Sequence, residues 1–430
     1  MKKIVLLFIV VLILCAGCEI DSLHEHKFSS EWTSNASYHW HAATCGHDEV
    51  SAKAAHTWDS GKVTVMPTET VQGSYVYTCT VCGATKTVVP KTIQFETNCD
   101  IVIDDIIVGD GEYISAPDVP KREGYKFEGW YSDSNFKYRY GFISAIRSNT
   151  KLYAKWIVDG PCVVKWAGVR VSGYGMRSFG KNNFPDEERM VGFAEKMSGW
   201  YEGSTGAYVL IVGTLSGNRC NLTFPIDGEY ESIRGNNTDT YESYLDAFDE
   251  AGYSVWLQVE PGYADLETLA ELVMDRYSHH SCVKGFGIDV EWHKPVEGSD
   301  EGTKLSDADA KKVLDKVRSY DPEYTVFVKH WMQSHLPSNM EGIIYVNDSQ
   351  QFDSMDHVLS EFTDWASYYA PQPVMFQIGY RADEWIWGEY ANPAREFGEA
   401  IMEECNSGND VGIIWVDFTL SQVIDIEDPE

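Results

Sequence analysis

Basic residues are scarce: 34 Lys and Arg stand against 66 Asp and Glu across 430 residues, for a formal charge of -32. So acidic a chain repels polyanions, which excludes nucleic acid as a partner, and the charge keeps the protein soluble. Also missing is a glycine-rich phosphate turn after the first strand of the long C-terminal segment, which argues against an open, doubly wound nucleotide-binding sheet. The apolar run that follows Lys2 and Lys3 is short and sharply bounded by small residues, so it reads as a secretory leader, not as a spanning helix. What the chain has in plenty is aromatics, with 14 Trp, 25 Tyr and 18 Phe. They suit a large core and equally suit stacking on sugar rings. The length calls for two or three domains.

The leader ends in Cys15-Ala-Gly-Cys18. This resembles a bacterial lipoprotein signal, which implies that residues 1–17 are removed, that Cys18 is acylated, and that the mature chain sits on the outer face of a bacterial membrane through that lipid. An uncleaved anchor and an ordinary secreted protein are the alternatives. All three place the chain where disulfides persist.

Residues 18–90 form a small module rich in His, Cys and Trp, with His24-Glu-His26, His39-Trp-His41, Cys45-Gly-His47, His56 and Cys79-Thr-Val-Cys82 in order. Thiolate and imidazole are the ligands a structural zinc ion prefers, and Cys45, His47, Cys79 and Cys82 make up one tetrahedral set. A disulfide from Cys45 to Cys79 or Cys82 fits an oxidising location equally well. Residues 91–158 read as a small β module, with short alternating runs between turn residues. Gly124-Tyr-Lys-Phe-Glu-Gly-Trp-Tyr131 followed by Leu152-Tyr-Ala-Lys-Trp156 resembles the bacterial surface repeat of the internalin B type. That resemblance implies a spacer or adhesive module.

From residue 161 to 430, eight apolar runs alternate with helical stretches, beginning at residues 164, 208, 254, 283, 325, 342, 374 and 411. This pattern predicts an α/β fold, a (β/α)8 TIM-type barrel preceded by the small β-rich modules. Barrel enzymes keep their chemistry at the carboxyl ends of the strands, and there this chain carries polar residues throughout. Asp289 and Glu291 close the fourth run. Around them stand Arg170, Gln258, Glu260, Lys329, Trp331, Asn347, Asp348, Gln377, Tyr380, Trp415 and Asp417. Carboxylates for proton transfer, amides for hydroxyls and rings for stacking are what a sugar site needs. In an extended strand, residues two apart share a face roughly 7 Å apart, so Gly285, Gly287, Asp289 and Glu291 are expected on one face. The glycines there leave room for a neighbouring chain or a ligand. Two carboxyls this close share a proton near neutral pH, which makes Glu291 the general acid and Asp289 its orienting partner. The barrel itself calls for no cofactor.

Lys284-Gly-Phe-Gly-Ile-Asp-Val-Glu291 resembles the fourth strand of the chitinase and endo-N-acetylglucosaminidase family, whose D-x-x-D-x-D-x-E motif ends in an Asp and a catalytic Glu. The resemblance implies a substrate-assisted mechanism in which the sugar's own 2-acetamido group is the nucleophile, with Asp289 steadying it and Trp415 as the sugar platform. Lys284 and Gly287 replace the motif's first two Asp residues, and Asn347 precedes Asp348 where Tyr is usual. The expected function is therefore a surface-anchored glycoside hydrolase acting on N-acetylated glycans. A non-catalytic glycan binder, a muramidase-like cell-wall hydrolase and an adhesion protein stand beside it. The muramidase comparison rests on Gly168-Val-Arg-Val-Ser172, where Arg170 replaces that family's Asp, and on Val416-Asp417.

Overall fold

The computed structural model describes residues 24–68, 70–179, 184–296 and 301–424. The leader at 1–17 and Cys18 lie outside them. The described chain falls into two compact units. One comprises the residues up to Ile93 with Ile106–Ile114 and Ile143–Asn149; the other holds Gln94–Asp105, Ser115–Phe142 and everything from Thr150 onward.

In the first unit, β1 (Thr33–Ser34), β2 (Tyr38–Ala42) and β3 (Val50–Ala55) form one antiparallel sheet. A second is built from β4 (Lys62–Val65), β5 (Ser74–Thr78) and β6 (Thr85–Val88). Neither holds the single ligand set expected from the sequence. Cys45 and His47 gather with His24 and His26, while Cys79 and Cys82 gather with His39 and His56. The reason is local pairing: Phe28 bridges Ala43, and the Thr44 amide donates to the Lys27 carbonyl at 2.8 Å, which lays the entering segment beside the Cys45 turn. Cys45, Cys79 and Cys82 are all unbonded thiols, so the disulfide alternative is not formed. After them β7 (Lys91–Glu96) pairs through its first residues with β8 (Ile106–Val108).

The second unit opens with β9 (Tyr125–Tyr131) and β10 (Thr150–Val158), which pair antiparallel. Their pattern has a packing cause. Phe127 meets both Trp130 and Trp156 edge-on at 5.4 Å, and Phe95 meets Trp130 at 5.0 Å. Lys155, in the same run, is buried and donates to the carbonyls of Ser367 and Tyr368 on a barrel helix. Burial pulls its ammonium down to about 8.

The barrel is closed. Its strands are β11 (Val163–Val171), β12 (Thr205–Ser216), β15 (Ser254–Val259), β16 (Val283–Asp289), β17 (Thr325–Lys329), β18 (Ile343–Asn347), β19 (Val374–Ile378) and β20 (Asp410–Val416), with β13 (Arg219–Leu222) and β14 (Ile233–Arg234) as a side extension of β12 that the periodicity did not announce. All eight neighbouring pairs are parallel, and β11 meets both β12 and β20. The TIM-type reading holds. Helices α1 (Glu187–Ser198), α2 (Glu242–Ala251), α3 (Leu266–Tyr277), α4 (Asp307–Arg318), α5 (Met355–Tyr369), α6 (Glu384–Trp387), α7 (Pro393–Glu404) and α8 (Asp417–Val423) follow the strands. Ser306 caps α4: its hydroxyl accepts from the Asp309 amide at 3.1 Å.

Strand alternation sorts the barrel into two cores. Outward residues such as Val169, Leu210, Phe286, Ile288 and Val328 pack beneath the helices. Inward ones, including Val209, Trp256, Phe327, Ile344, Met375 and Ile414, fill the lumen with Trp166. Cys162, before the first strand, is bonded to Cys405, before the last, across 243 residues. Cys220 and Cys282 are buried free thiols. In the chain-entropy treatment a loop of that size contributes up to about 5 kcal/mol. Replacing both Cys162 and Cys405 with Ser should lower the unfolding free energy of the barrel by about 2–5 kcal/mol, read from urea transitions; an unchanged midpoint would show that the bond adds nothing to stability.

Candidate functional site

Above the apolar plug, the lumen turns polar. On β16 the inward positions are Gly285, Gly287 and Asp289. A Cβ on Gly287 would lie 2.1 Å from the Phe327 ring, so the room left by that glycine is taken by a core phenylalanine and not by a ligand. The strand ends at Asp289, and Val290–Trp292 curl into a 3-10 turn. The alternation expected to carry Glu291 inward therefore stops two residues early. Glu291 reaches the lumen all the same, because the turn folds it back over the strand end.

Asp289 and Lys329 are directly paired across β16 and β17. Their side chains meet in the lumen, Lys329 Nζ lying 3.1 Å from Asp289 Oδ2 and 3.0 Å from Glu291 Oε2, with Asp348 Oδ2 in closer contact still. Gln258 donates to Asp289 Oδ2 at 3.0 Å. One ammonium thus faces three carboxyls. The Asp289 and Glu291 contacts share a single nitrogen, so their oxygens are no farther apart than two hydrogen bonds laid end to end. The three acids are not equivalent. The Asp289 and Asp348 side chains are 1% and 4% exposed, and that of Glu291 is 21% exposed.

The electrostatics follow from the count of charges. Burial disfavours the Lys329 ammonium, but Asp289, Asp348 and Glu291 together outweigh it and hold its pKa well above the ordinary lysine value. Burial pushes Asp289 well above the usual carboxylate range; Lys329 opposes this, while Glu291, Asp348 and Glu260 add to it. Glu291 is raised in the same way, by burial first and by Asp348, against the pull of Lys329. These shifts are compatible because a single cation neutralises one carboxylate, and the surplus negative charge favours the protonated forms of Asp289 and Glu291.

A second pair closes the opposite side of the mouth. Arg170 Nη1 lies 3.2 Å from Asp417 Oδ1, and Asp417 Oδ2 accepts from both the amide and the hydroxyl of Ser172. Burial works against the guanidinium charge, and Asp417 and Asp289 hold it in place. Tyr380 donates to Gln377 Oε1 at 3.2 Å. Burial raises the Tyr380 phenol, and so does the charge of nearby Asp348. Glu260 accepts from the Leu215 amide at 2.7 Å, near the end of β12. Five buried polar atoms at this end, Arg170 Nε, Gln258 Oε1, Asp289 Oδ1, Asp348 Oδ1 and Gln377 Nε2, have no hydrogen-bond partner among the described residues. Buried polar atoms in native proteins are nearly always satisfied, so a cluster of them marks a place suited to water or a polar ligand.

Two expected binding residues lie elsewhere. Inward positions on β20 are Gly412, Ile414 and Val416, so Trp415 points outward; it is fully buried, packs against Trp387 at 5.5 Å and donates to Thr419 at 3.0 Å. Gly379 has φ +89 and makes room for that ring, which a Cβ would approach to 2.2 Å. Asn347 also faces outward and donates to Glu361 on α5 at 3.0 Å. Asp348, one residue past the strand, turns inward in its stead. Trp331 is half-buried over His330, ring centroids 4.2 Å apart. The sequence reading missed Phe418, whose ring lies 5.0 Å from the Arg170 guanidinium, and Tyr174 beside it, which is 72% exposed. The Asp417-Phe418 pair after the last strand was the available signal.

Comparisons with known proteins bear on the parts unequally. Residues 92–155 match the family model of the Listeria-Bacteroides repeat domain. A protein of Evansella cellulosilytica is 32% identical over 69 residues, 16% of this chain, and the chain covers only a tenth of that relative's length. Among solved structures, a psychrophilic family 10 endo-β-1,4-xylanase is 11% identical with a TM-score of 0.33, covering 59% of this chain and 86% of the xylanase. An intracellular xylanase of Thermoanaerobacterium saccharolyticum is 10% identical, also at 0.33, over 61% and 88% of the two chains. An FMN-binding β-glucuronidase of Faecalibacterium prausnitzii is 12% identical at 0.33, over 82% and 55%. At these scores the solved structures assign no role to any residue here.

The Lys329 arrangement makes a definite prediction. Lys329→Met strands two buried carboxyls and the partly exposed Glu291 without their cation and should cost about 3–5 kcal/mol at neutral pH. The loss should shrink at acidic pH, where Asp289 and Glu291 are protonated: their raised values mean the folded chain holds protons that the unfolded chain releases, so this destabilising contribution grows as pH climbs from the ordinary carboxylate range through the raised one. Urea unfolding of wild type and variant across that range measures it. A pH-independent difference would contradict the arrangement.

Proposed function

We propose that the barrel cleaves N-acetylated glycans by acid catalysis, with Glu291 as the proton donor. The observation that carries this reading is that Glu291 is the one carboxyl around Lys329 with a side chain open to solvent, and it holds its proton above the usual carboxylate range. A carboxyl so placed gives its proton to the glycosidic oxygen as the bond to the anomeric carbon breaks, and the leaving sugar departs as an alcohol. The acetamido oxygen of the substrate attacks the same carbon from the other side. Water then opens that cyclic intermediate and returns a proton to Glu291. A two-carboxylate mechanism is disfavoured, since β19 offers Gln377 and not a second acid. Asp289 steadies the acetamido group, its Oδ1 having no hydrogen-bond partner among the described residues.

One observation favours a second reading: Asp289 and Asp348 are sealed and held by Lys329, which suits a barrel that binds sugars without cutting them. Chito-oligosaccharides and N-acetylated glycans, tested for cleavage and by calorimetry, separate the two. Catalysis predicts product from wild type and a loss of about 10²–10⁴-fold in Glu291→Gln with binding retained. Binding by wild type without any product would leave the sugar-binding reading.

We further propose that the chain is held at an extracytoplasmic surface by a lipid on Cys18. The bonded pair Cys162–Cys405 supports an oxidising location. Radiolabelled fatty acid should mark the wild type and not Cys18→Ala; equal labelling would refute the anchor.

A further inference from the structure

The two ligand groups of the first unit lie outside the barrel residues assigned to glycan chemistry, and their geometry has its own meaning. His24, His26, Cys45 and His47 bring one ligand atom each within 4.8 Å of one another, and His39, His56, Cys79 and Cys82 do the same. We infer that this segment binds two zinc ions, one through three imidazoles and a thiolate, the other through two of each.

The distances match the edges of a coordination tetrahedron. With Zn–S about 2.3 Å and Zn–N about 2.0–2.1 Å, a sulfur and a nitrogen on one tetrahedral ion lie about 3.6 Å apart. In the first group Cys45 Sγ is 3.2 Å from His26 Nδ1 and 3.6 Å from His47 Nδ1. In the second, Cys79 Sγ is 3.8 Å from His39 Nδ1, and Cys82 Sγ is 3.5 Å from His56 Nδ1.

Backbone geometry presents the ligands for this purpose. Gly46 and Gly83 adopt φ +86 and +74, turns in which a side chain is strained. The Gly83 amide donates to the Cys79 carbonyl at 2.9 Å and closes the Cys79-Thr-Val-Cys82 turn. The far nitrogen of His56 sits 2.8 Å from the Asn35 carbonyl, the outer hydrogen bond that orients a metal-bound imidazole. His41, between the groups, turns instead to the Glu31 carbonyl at 3.1 Å and belongs to neither.

There is also a structural need. Among the described residues of 24–89, the buried apolar side chains are Tyr75, Tyr77 and Cys79. Two three-stranded sheets with so small a core are marginal unless cross-linked. The second ion takes His39 from β2 and His56 just after β3, and Cys79 and Cys82 just after β5, so it ties one sheet to the other. The cysteines bind as thiolates and release their protons on loading, which couples metal affinity to folding.

The full chain, stripped with chelator under reductant and dialysed against Zn2+, should hold two equivalents of zinc by mass spectrometry of the metal, and with Co2+ it should show tetrahedral bands and sulfur-to-metal charge transfer. Cys45→Ser should retain one equivalent, Cys82→Ser at most one, and the double variant none, while His41→Ala keeps both. Substoichiometric zinc in the wild type, the same content in all variants, loss from His41→Ala equal to that from Cys45→Ser, or disulfides at Cys45, Cys79 and Cys82 in the isolated protein would each overturn the assignment.

Discussion

One ammonium among three carboxyls organises the working end of the barrel. Lys329 is placed by strand register opposite Asp289, and both are buried, so neither can be ionised alone without a large desolvation cost. Paired, they still leave Glu291 and Asp348 with more negative charge than Lys329 can balance. That surplus favours the protonated forms of Asp289 and Glu291. The excess of acid over base at the mouth therefore bears on the stability of that end and suits a carboxyl there to proton donation.

The plug below makes this possible. Phe327 and Trp256 fill the lumen and exclude water from beneath Asp289, so the polar layer sits on a low-dielectric floor where charges interact strongly. Arg170 and Asp417 pair across the mouth, and the Arg170 charge also reaches Asp289 and Glu291 of the Lys329 set.

Much of the barrel was legible in the sequence, because eight apolar runs of strand length, spaced by helical stretches, permit few other closed arrangements. The polar crown at the strand ends was legible too, but its orientation was not. Trp415 and Asn347 lie one residue off the inward parity, and assigning them needs the point at which each strand enters the barrel. Glu291 shows the converse, a residue past the end of regular alternation that a turn brings back. Pairing over long separations was equally hidden. Cys162 with Cys405 follows from tertiary closure that no local pattern encodes. In the His/Cys-rich segment the ligand types were plain, and only the way they divide into two groups required coordinates.

The central claim is that the Lys329 set holds a proton at neutral pH. Infrared spectroscopy of the wild type at neutral pH, with Asp289→Asn and Glu291→Gln as subtraction partners, tests it directly. The account predicts a protonated-carboxyl band in the wild type that at least one substitution removes and that fades as pH rises. Fully ionised carboxylates at neutral pH, with no such band in the difference spectra, would contradict it.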